Sequence, residues 1–300
     1  MTITAAPQLG RKKREFLSLL NDPDASEPDV QNYLENNTEL ISLPWRLNHA
    51  LHQEAIISKF PLDTSIITDF AYLTKSSGEW YLVLVELEDP KKPIFKSDKQ
   101  RVILSRDLAA ALDQIAEWKT FADRHKDEIV RRISLLRRPL ENNRVRIKYV
   151  LIYGRRKELT GQERIDRLAS LGEGSLKVVT YDSLLSKATP DEWWPKNVLT
   201  LTKRSLRFKY LHQLDVGVFA FNSPSEIILT TAQRKTLIAE GYDIPSWEGG
   251  KYLTLNHKYV SNDEGWRRME NEISKNSRRK AAPQRATPTS TEAQKQRRSE

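Results

Sequence analysis

Two carboxylates close an apolar stretch of the chain. Glu86 and Glu88 follow the run Tyr81-Leu82-Val83-Leu84-Val85, which predicts a buried strand. Because side chains alternate between the faces of a strand, residues two apart point to the same side. Two like charges beside aliphatic neighbours are costly unless a cation or a hydrogen-bond donor compensates them. The pair therefore indicates a metal site at the end of a core strand, or a strand that simply enters solvent at Glu86.

A hairpin brings a third carboxylate to the same place. A two-residue loop at Ser77-Gly78 would join this strand to a strand predicted over residues 65–74. Counting outward from that loop places Asp69 opposite Glu86, on the face that also carries Glu88. Opposed residues share a face with Cβ atoms about 5 Å apart, so two opposed carboxylates destabilise a hairpin unless something lies between them. A hard divalent cation with oxygen ligands, Mg²⁺ or Mn²⁺, is the natural candidate.

The helix predicted after these strands carries a polar residue on its apolar face. This helix extends from about residue 104 to residue 136, and Gln114 lies beside Ala111 and Ile115. A glutamine there is costly unless its amide is hydrogen-bonded. Gln114 therefore either contributes its amide to the site or lies half in water at the boundary of the apolar face.

An earlier helix supplies two more acids. Ser26 as the cap and Pro28 in the first turn predict a helix start, and Glu27 and Glu35 lie on or near this helix. Either carboxylate is a candidate to approach the strand acids.

The order of the elements indicates the fold. The main part reads as helix, three strands, helix, strand, helix and strand, which predicts an α/β fold with a mixed central sheet flanked by helices. The sequence pattern changes near residues 190–195, which marks a predicted domain boundary. The short β-like runs and the helix that follow predict a small α+β appendage over residues 195–262.

Composition excludes several classes of protein. The 300 residues are 38% hydrophobic and include no Cys, which excludes disulfides, thiolate zinc sites and a cysteine nucleophile. No apolar run approaches the roughly 20 residues of a membrane helix, and residues 1–9 show no signal-peptide pattern. We therefore expect a cytoplasmic protein with no membrane partner. The chain has no Gly-rich phosphate loop or dinucleotide fingerprint, which disfavours a small-molecule enzyme.

Positive charge is concentrated at the end of the chain. Residues 267–300 hold ten basic and four acidic residues, a net charge of +6 out of +9 for the whole chain. A tail of this charge that is rich in Ser, Thr, Gln and Pro predicts disorder. It would either contact the phosphates of a nucleic acid or only keep the protein in solution.

Five segments, in this order and spacing, resemble a known group of enzymes: residues 27–37, 68–70, 85–90, 111–118 and 178–184. Together they are similar to the PD-(D/E)xK nuclease superfamily, and more closely to the nuclease domain of the Shedu antiphage defence proteins. The resemblance covers about residues 12–190 and implies a restriction-endonuclease-like fold.

The resemblance also implies roles for the acids. Asp69 and Glu86 would hold Mg²⁺ or Mn²⁺, and Glu27 or Glu35 would support the metal and its water. The implied chemistry is metal-assisted hydrolysis of DNA phosphodiester bonds.

Two further positions complete the implied site. Gln114, with Trp118, would orient the metal-bound water or a phosphate. Glu88 stands where the superfamily has a lysine, and a glutamate does not stabilise an anionic transition state directly. Glu88 would bind a second metal, or a downstream lysine would serve in place of the family's lysine (Lys92, Lys96 or Lys99), or the site would be inactive.

The resulting prediction is a metal-dependent DNA endonuclease of antiphage defence. The alternative is a catalytically inactive nuclease fold that binds DNA or acts as a sensor. Nucleases that cut both strands often pair two active sites by twofold symmetry, so we expect a homo-oligomer.

Overall fold

The computed structural model describes most of the chain: residues 5–48, 51–97, 101–188, 194–202, 204–212, 217–254, 258–260, 262, 264–268 and 270–271. Of the predicted basic tail, residues 267–300, the part from residue 272 onward lies outside the described residues. None of the helices in these ranges is both long enough and apolar enough to cross a membrane.

Within these ranges the chain forms the following helices: α1 (Ala5–Asn21), α2 (Glu27–Asn36), α3 (Arg106–Arg124), α4 (Lys126–Arg132), α5 (Ser134–Arg137), α6 (Gln162–Ser170), α7 (Tyr181–Lys187), α8 (Thr231–Ala239) and α9 (Ile244–Glu248). The strands are β1 (Leu51–Pro61), β2 (Ile67–Lys75), β3 (Glu79–Leu87), β4 (Arg144–Ile152), β5 (Leu176–Val179), β6 (Asn197–Leu201), β7 (Leu206–Tyr210), β8 (Ile227–Ile228), β9 (Leu253–Thr254) and β10 (Tyr259–Val260).

A mixed sheet of eight strands forms the centre of the fold, in the order β5-β4-β3-β2-β1-β6-β7-β8. Strands β1, β2 and β3 are antiparallel neighbours, whereas β4 and β5 continue from β3 in parallel. Helices flank the sheet, so the predicted fold class is confirmed.

The β2–β3 hairpin has the predicted register. The Ser76 amide donates to the Glu79 carbonyl over 2.9 Å, which leaves Ser77 and Gly78 as a two-residue loop. The paired positions end at Phe70 opposite Val85, and one further step along both strands places Asp69 opposite Glu86.

Alternate residues of β2 and β3 enter two separate cores. Ala71, Leu82 and Leu84 pack with apolar residues of α3, and we call this side of the sheet the α3 face. Tyr72 and Val83 pack with Val30 and Leu34 of α2 on the opposite side, the α2 face. Complete burial of each such aliphatic side chain contributes about 1.5–3 kcal/mol, which holds the hairpin in a single register. Asp69 is two residues before Ala71 and Glu86 is two residues after Leu84, so alternation puts both on the α3 face.

Strand β1 departs from regular alternation. Lys59 has a φ of 51°, in the left-handed region that non-glycine residues rarely adopt. As a result, Ile57 and Phe60 both pack in the α3-face core although they are three residues apart. Side-chain alternation alone therefore does not predict the direction of Lys59.

One sequence expectation differs from the structure. The single helix predicted over residues 104–136 is three helices, because the chain leaves helical geometry at His125 and Ile133. The predicted division into residues 12–190, 195–262 and 267–300 stays a prediction. Across its first boundary, β6 pairs in parallel with β1 and continues the central sheet.

Candidate active site at the end of strand β3

Glu86 lies at the end of β3, and the two oxygens of its carboxylate differ in their hydrogen bonding. Its Oε1 accepts a hydrogen bond from Gln114 Nε2 over 2.8 Å. Its Oε2 is buried and has no hydrogen-bond partner among the described residues. Helix α3 positions Gln114 over the strand because Ala111 and Ile115 are buried in the α3-face core. The amide of Gln114 is therefore hydrogen-bonded to Glu86, which agrees with the interpretation that Gln114 contributes its amide to the site.

The surroundings of Glu86 disfavour its negative charge. The pKa of Glu86 is raised to about 9, first by burial and then by the nearby charge of Asp69, and the hydrogen bond from Gln114 only partly opposes this. A carboxylate with one orphaned oxygen beside a second carboxylate is an arrangement that a cation would stabilise.

Asp69 is buried and already has two donors. Its Oδ2 accepts from the Leu87 amide over 2.8 Å, and its Oδ1 accepts from Lys59 Nζ over 2.8 Å. The Lys59 side chain is 54% exposed and the Asp69 side chain 7% exposed. Lys59 therefore extends from solvent to a buried carboxylate.

Sequence reasoning missed Lys59. Its strand pairs with β2 so that Ser58 lies opposite Phe70 and Phe60 opposite Thr68, which puts Lys59 opposite Asp69. The available signal was a lysine in the strand before Asp69. The longer β1–β2 loop and the left-handed φ of Lys59 hide both the register and the face.

Glu27 is the helix acid that joins this group. It is the first residue of α2, whose start is capped by Ser26: the Ser26 amide donates to the Asp29 carboxylate over 2.8 Å. Burial raises the pKa of Glu27, and the charges of Asp69 and Glu88 raise it further. We call Glu27, Asp69, Glu86 and Glu88 the carboxylate cluster.

Glu35, the alternative helix acid, has different partners. It is buried near the end of α2, where its carboxylate accepts from the Ser58 hydroxyl and pairs with the Lys209 ammonium. The structure therefore brings Glu27 to the strand acids and engages Glu35 elsewhere.

Glu88 lies just past β3 and is 8% exposed. Its carboxylate forms an ion pair with Lys92, and this contact raises the pKa of Lys92. The Glu88 backbone is held at both ends, by the Ile152 carbonyl over 3.1 Å and the Tyr181 hydroxyl over 2.6 Å. Glu88 is therefore a fixed, buried acid with its own cation.

The remaining predicted residues have simple positions. Trp118 is buried in the α3-face core, one turn beyond Gln114 on the same helix. Of the three downstream lysines, Lys92 reaches Glu88, Lys96 is exposed, and Lys99 lies outside the described residues.

The cluster suits a cation held by few protein ligands. No three Asp, Glu or His side chains in the described ranges are arranged to hold one metal ion together. Mg²⁺ is commonly held by one or two carboxylates and keeps several waters or phosphate oxygens. The orphaned oxygen of Glu86, with Asp69 across the hairpin, fits that donor set.

Comparison with known proteins identifies a family. The family described as Shedu protein SduA, C-terminal, matches residues 24–185, which include the whole carboxylate cluster and Gln114. No curated protein matches the chain.

Proposed function

The chain belongs to the SduA C-terminal family of Shedu proteins, and from that membership we propose that it is a metal-dependent DNA endonuclease of antiphage defence. The observation that carries the proposal is Glu86: a carboxylate with one orphaned oxygen, opposite Asp69 at the end of a core strand. Such a group is destabilising in the absence of a cation, so its presence favours a functional role.

Asp69 and Glu86 would hold Mg²⁺ or Mn²⁺. When bound, such an ion polarises a phosphate and lowers the pKa of a coordinated water, which supports attack on phosphorus. Gln114 fixes the orientation of Glu86 through the Nε2–Oε1 hydrogen bond, as outer partners of metal ligands commonly do. Leu87 does the same for Asp69 through its amide.

Lys59 is the residue that we propose stabilises the substrate. The proposed hydrolysis adds water to phosphorus and breaks one bond between phosphorus and a sugar oxygen, which leaves with a proton. Negative charge grows on the phosphate oxygens as this happens. Lys59, whose side chain is 54% exposed and whose ammonium pairs with Asp69, would contact those oxygens and supply the positive charge that Glu88 does not.

Glu27, Glu88 and Lys92 would maintain the charge balance of the site. The pKa of Lys92 is raised, so its ammonium stays charged beside Glu88. The carboxyl of Glu27, with its own raised pKa, is suited to accept a proton from a nearby water.

A plasmid nicking assay tests the proposal. Wild-type protein should convert supercoiled plasmid to open-circular or linear DNA with Mg²⁺ or Mn²⁺, and not with EDTA. Asp69→Asn and Glu86→Gln should each lower the rate by at least about a hundredfold, since each removes one of two ligand charges. Glu79→Gln, at the other end of the same strand, is the matched control and should cut like wild type.

The alternative function has a distinct outcome. Salt-sensitive DNA binding without cleavage in either metal would identify an inactive nuclease fold that acts as a DNA-binding or sensor module. Cleavage that survives both Asp69→Asn and Glu86→Gln would show that the chemistry lies elsewhere.

We also propose that the protein works as a homo-oligomer. Two copies related by twofold symmetry would present two sites to the two strands of DNA. Light scattering after size exclusion measures this directly, and a monomeric mass together with double-strand cleavage would contradict it.

A further inference from the structure

A group of positive charges lies on the α2 face of the sheet, opposite Gln114 and its helix. Trp45 and Tyr81 pack against the α2-face core, whereas Gln114 and its helix cover the α3 face. Around the Trp45 ring stand two lysines from neighbouring strands, Lys148 of β4 and Lys177 of β5. We call these four residues the Trp45 surface.

Trp45 is fixed in place from two directions. Its indole N–H donates to the Tyr149 carbonyl over 3.2 Å, and its backbone amide donates to the Tyr72 hydroxyl over 3.3 Å. Burial raises the pKa of Tyr72, so its hydroxyl remains protonated. The ring is therefore a rigid support rather than a mobile surface tryptophan.

The two ammonium groups are held on that support. Lys177 Nζ lies 4.2 Å from the centre of a Trp45 ring and donates to the Pro44 carbonyl over 2.7 Å. Lys148 Nζ lies 4.5 Å from Trp45 and 5.2 Å from the centre of the Tyr81 ring. Cation–π contacts of this kind are worth about 0.5–1 kcal/mol at exposed sites and hold the lysines in place.

The ammonium groups of Lys148 and Lys177 are close together. No carboxylate in the described part of the chain forms an ion pair with Lys148 or Lys177. The pKa of Lys177 is lowered by burial and then by the positive charges of Lys187 and Lys148. Like charges that are held together without compensation are destabilising alone and are stabilised by a bound anion.

The charge continues into a neighbouring cavity of about 660 Å³. Arg46 and Lys187 line it, and Pro44, which holds Lys177, forms part of its wall. The acidic residue that lines it, Glu39, is already paired with Lys12. The positive surface is thus broader than two lysines and suits a polyanion.

We propose that the Trp45 surface binds the phosphate backbone of DNA, as a second contact separate from the carboxylate cluster. Lysines held in fixed positions are suited to contact the phosphates of DNA. Such contacts position a nucleic acid without specifying its sequence. Binding here would hold one part of a DNA molecule while another part enters the candidate active site. The inference shares its DNA partner with the proposed function but needs no hydrolysis.

Fluorescence anisotropy with a labelled 30-base-pair duplex in EDTA tests this inference. The double variant Lys148→Gln and Lys177→Gln should raise the Kd for DNA by about tenfold. It should also reduce the magnitude of the slope of log K against log salt by up to about 2. The matched control is Lys235→Gln with Lys251→Gln, which removes two exposed lysines elsewhere and should change the Kd less than twofold. Lys148→Arg with Lys177→Arg keeps the charge and should bind like wild type.

The assay separates this inference from the proposed function. Because EDTA removes metal-dependent cleavage, an inactive protein still reports binding at the Trp45 surface. Equal Kd values for the two glutamine double variants would overturn the inference. It would also be overturned if the Lys148 and Lys177 variants lost binding to polyglutamate but not to DNA, because the surface would then recognise acidic protein.

Discussion

The ammonium of Lys59 lies 2.8 Å from Oδ1 of Asp69, directly across the β1–β2 pair. We predict that Lys59→Ala lowers the nicking rate by about 10²–10³, the usual effect of removing a group that stabilises transition-state charge. Lys59→Arg should retain more activity than Lys59→Ala because it keeps the charge. Calorimetry with Mn²⁺ is the further measurement, and we expect Lys59→Ala to bind the metal as tightly as wild type or more tightly. If Lys59 only maintained the structure of the site, Lys59→Ala would bind Mn²⁺ more weakly.

The same assay compares the lysines near the site. Lys96 is exposed, so Lys96→Ala should cut at nearly the wild-type rate. A larger loss of activity for Lys96→Ala than for Lys59→Ala would show that Lys59 is not the cation that stabilises the substrate.

Glu86 should make the metal-free protein less stable as pH rises. The pKa of Glu86 in the folded chain is raised from 4.5 to about 9. The folded state therefore holds a proton that the unfolded state loses between these values, and stability falls as pH increases through this window. Urea unfolding in EDTA should show this slope for wild type and a smaller slope for Glu86→Gln.

Added metal should reverse this effect. At pH 8, Mn²⁺ should raise the melting temperature of wild type and leave Glu86→Gln nearly unchanged, because a ligand stabilises only the state it binds. An equal shift for both proteins would place the metal away from Glu86.

Gln114 should act through the orientation of Glu86. Gln114→Ala removes the hydrogen bond to Oε1 and should lower metal affinity or the nicking rate by about 10–100-fold. Asp113→Ala, an exposed neighbour on the same helix, should leave both unchanged. If the two variants behaved alike, Gln114 would be only a boundary residue of α3.

The two acids of α2 should separate activity from stability. Glu35→Ala leaves Ser58 and Lys209 without their shared acceptor, so we expect a loss of about 1–3 kcal/mol in unfolding free energy with the nicking rate per folded molecule retained. Glu27→Ala should lower the nicking rate by about tenfold and leave stability unchanged or raised, because its carboxylate is disfavoured in the fold. The reverse pattern would assign the supporting role to Glu35.

The hairpin is the part of the site that the sequence predicted best. The two-residue loop fixes which residues of the two strands pair, and alternation within residues 81–85 fixes the face on which each side chain lies. The position of Asp69 opposite Glu86 therefore followed from local rules. The mixed sheet followed from the element order for similar reasons. Gln114 was identifiable because an amide on an apolar helix face needs a partner.

The misses have physical causes too. Lys59 reaches Asp69 through a left-handed backbone conformation that no side-chain pattern encodes. Helix geometry alone does not distinguish Glu27 from Glu35, since the choice depends on how α2 crosses the sheet. The lysines of the Trp45 surface come from β4 and β5 and meet over a residue that lies far earlier in the chain, so their grouping depends on the tertiary fold.

The parallel pairing of β6 with β1 has a consequence for shortened forms of the protein. The family match ends at residue 185, whereas β6 begins at Asn197 and covers Ala55 and Ile57 of β1. A chain cut between these points would expose β1 as an edge strand with open amide and carbonyl groups, a surface that promotes aggregation. The strand that carries Lys59 would lose its neighbour. The segment that defines the family is therefore shorter than the unit that has to be expressed to study it.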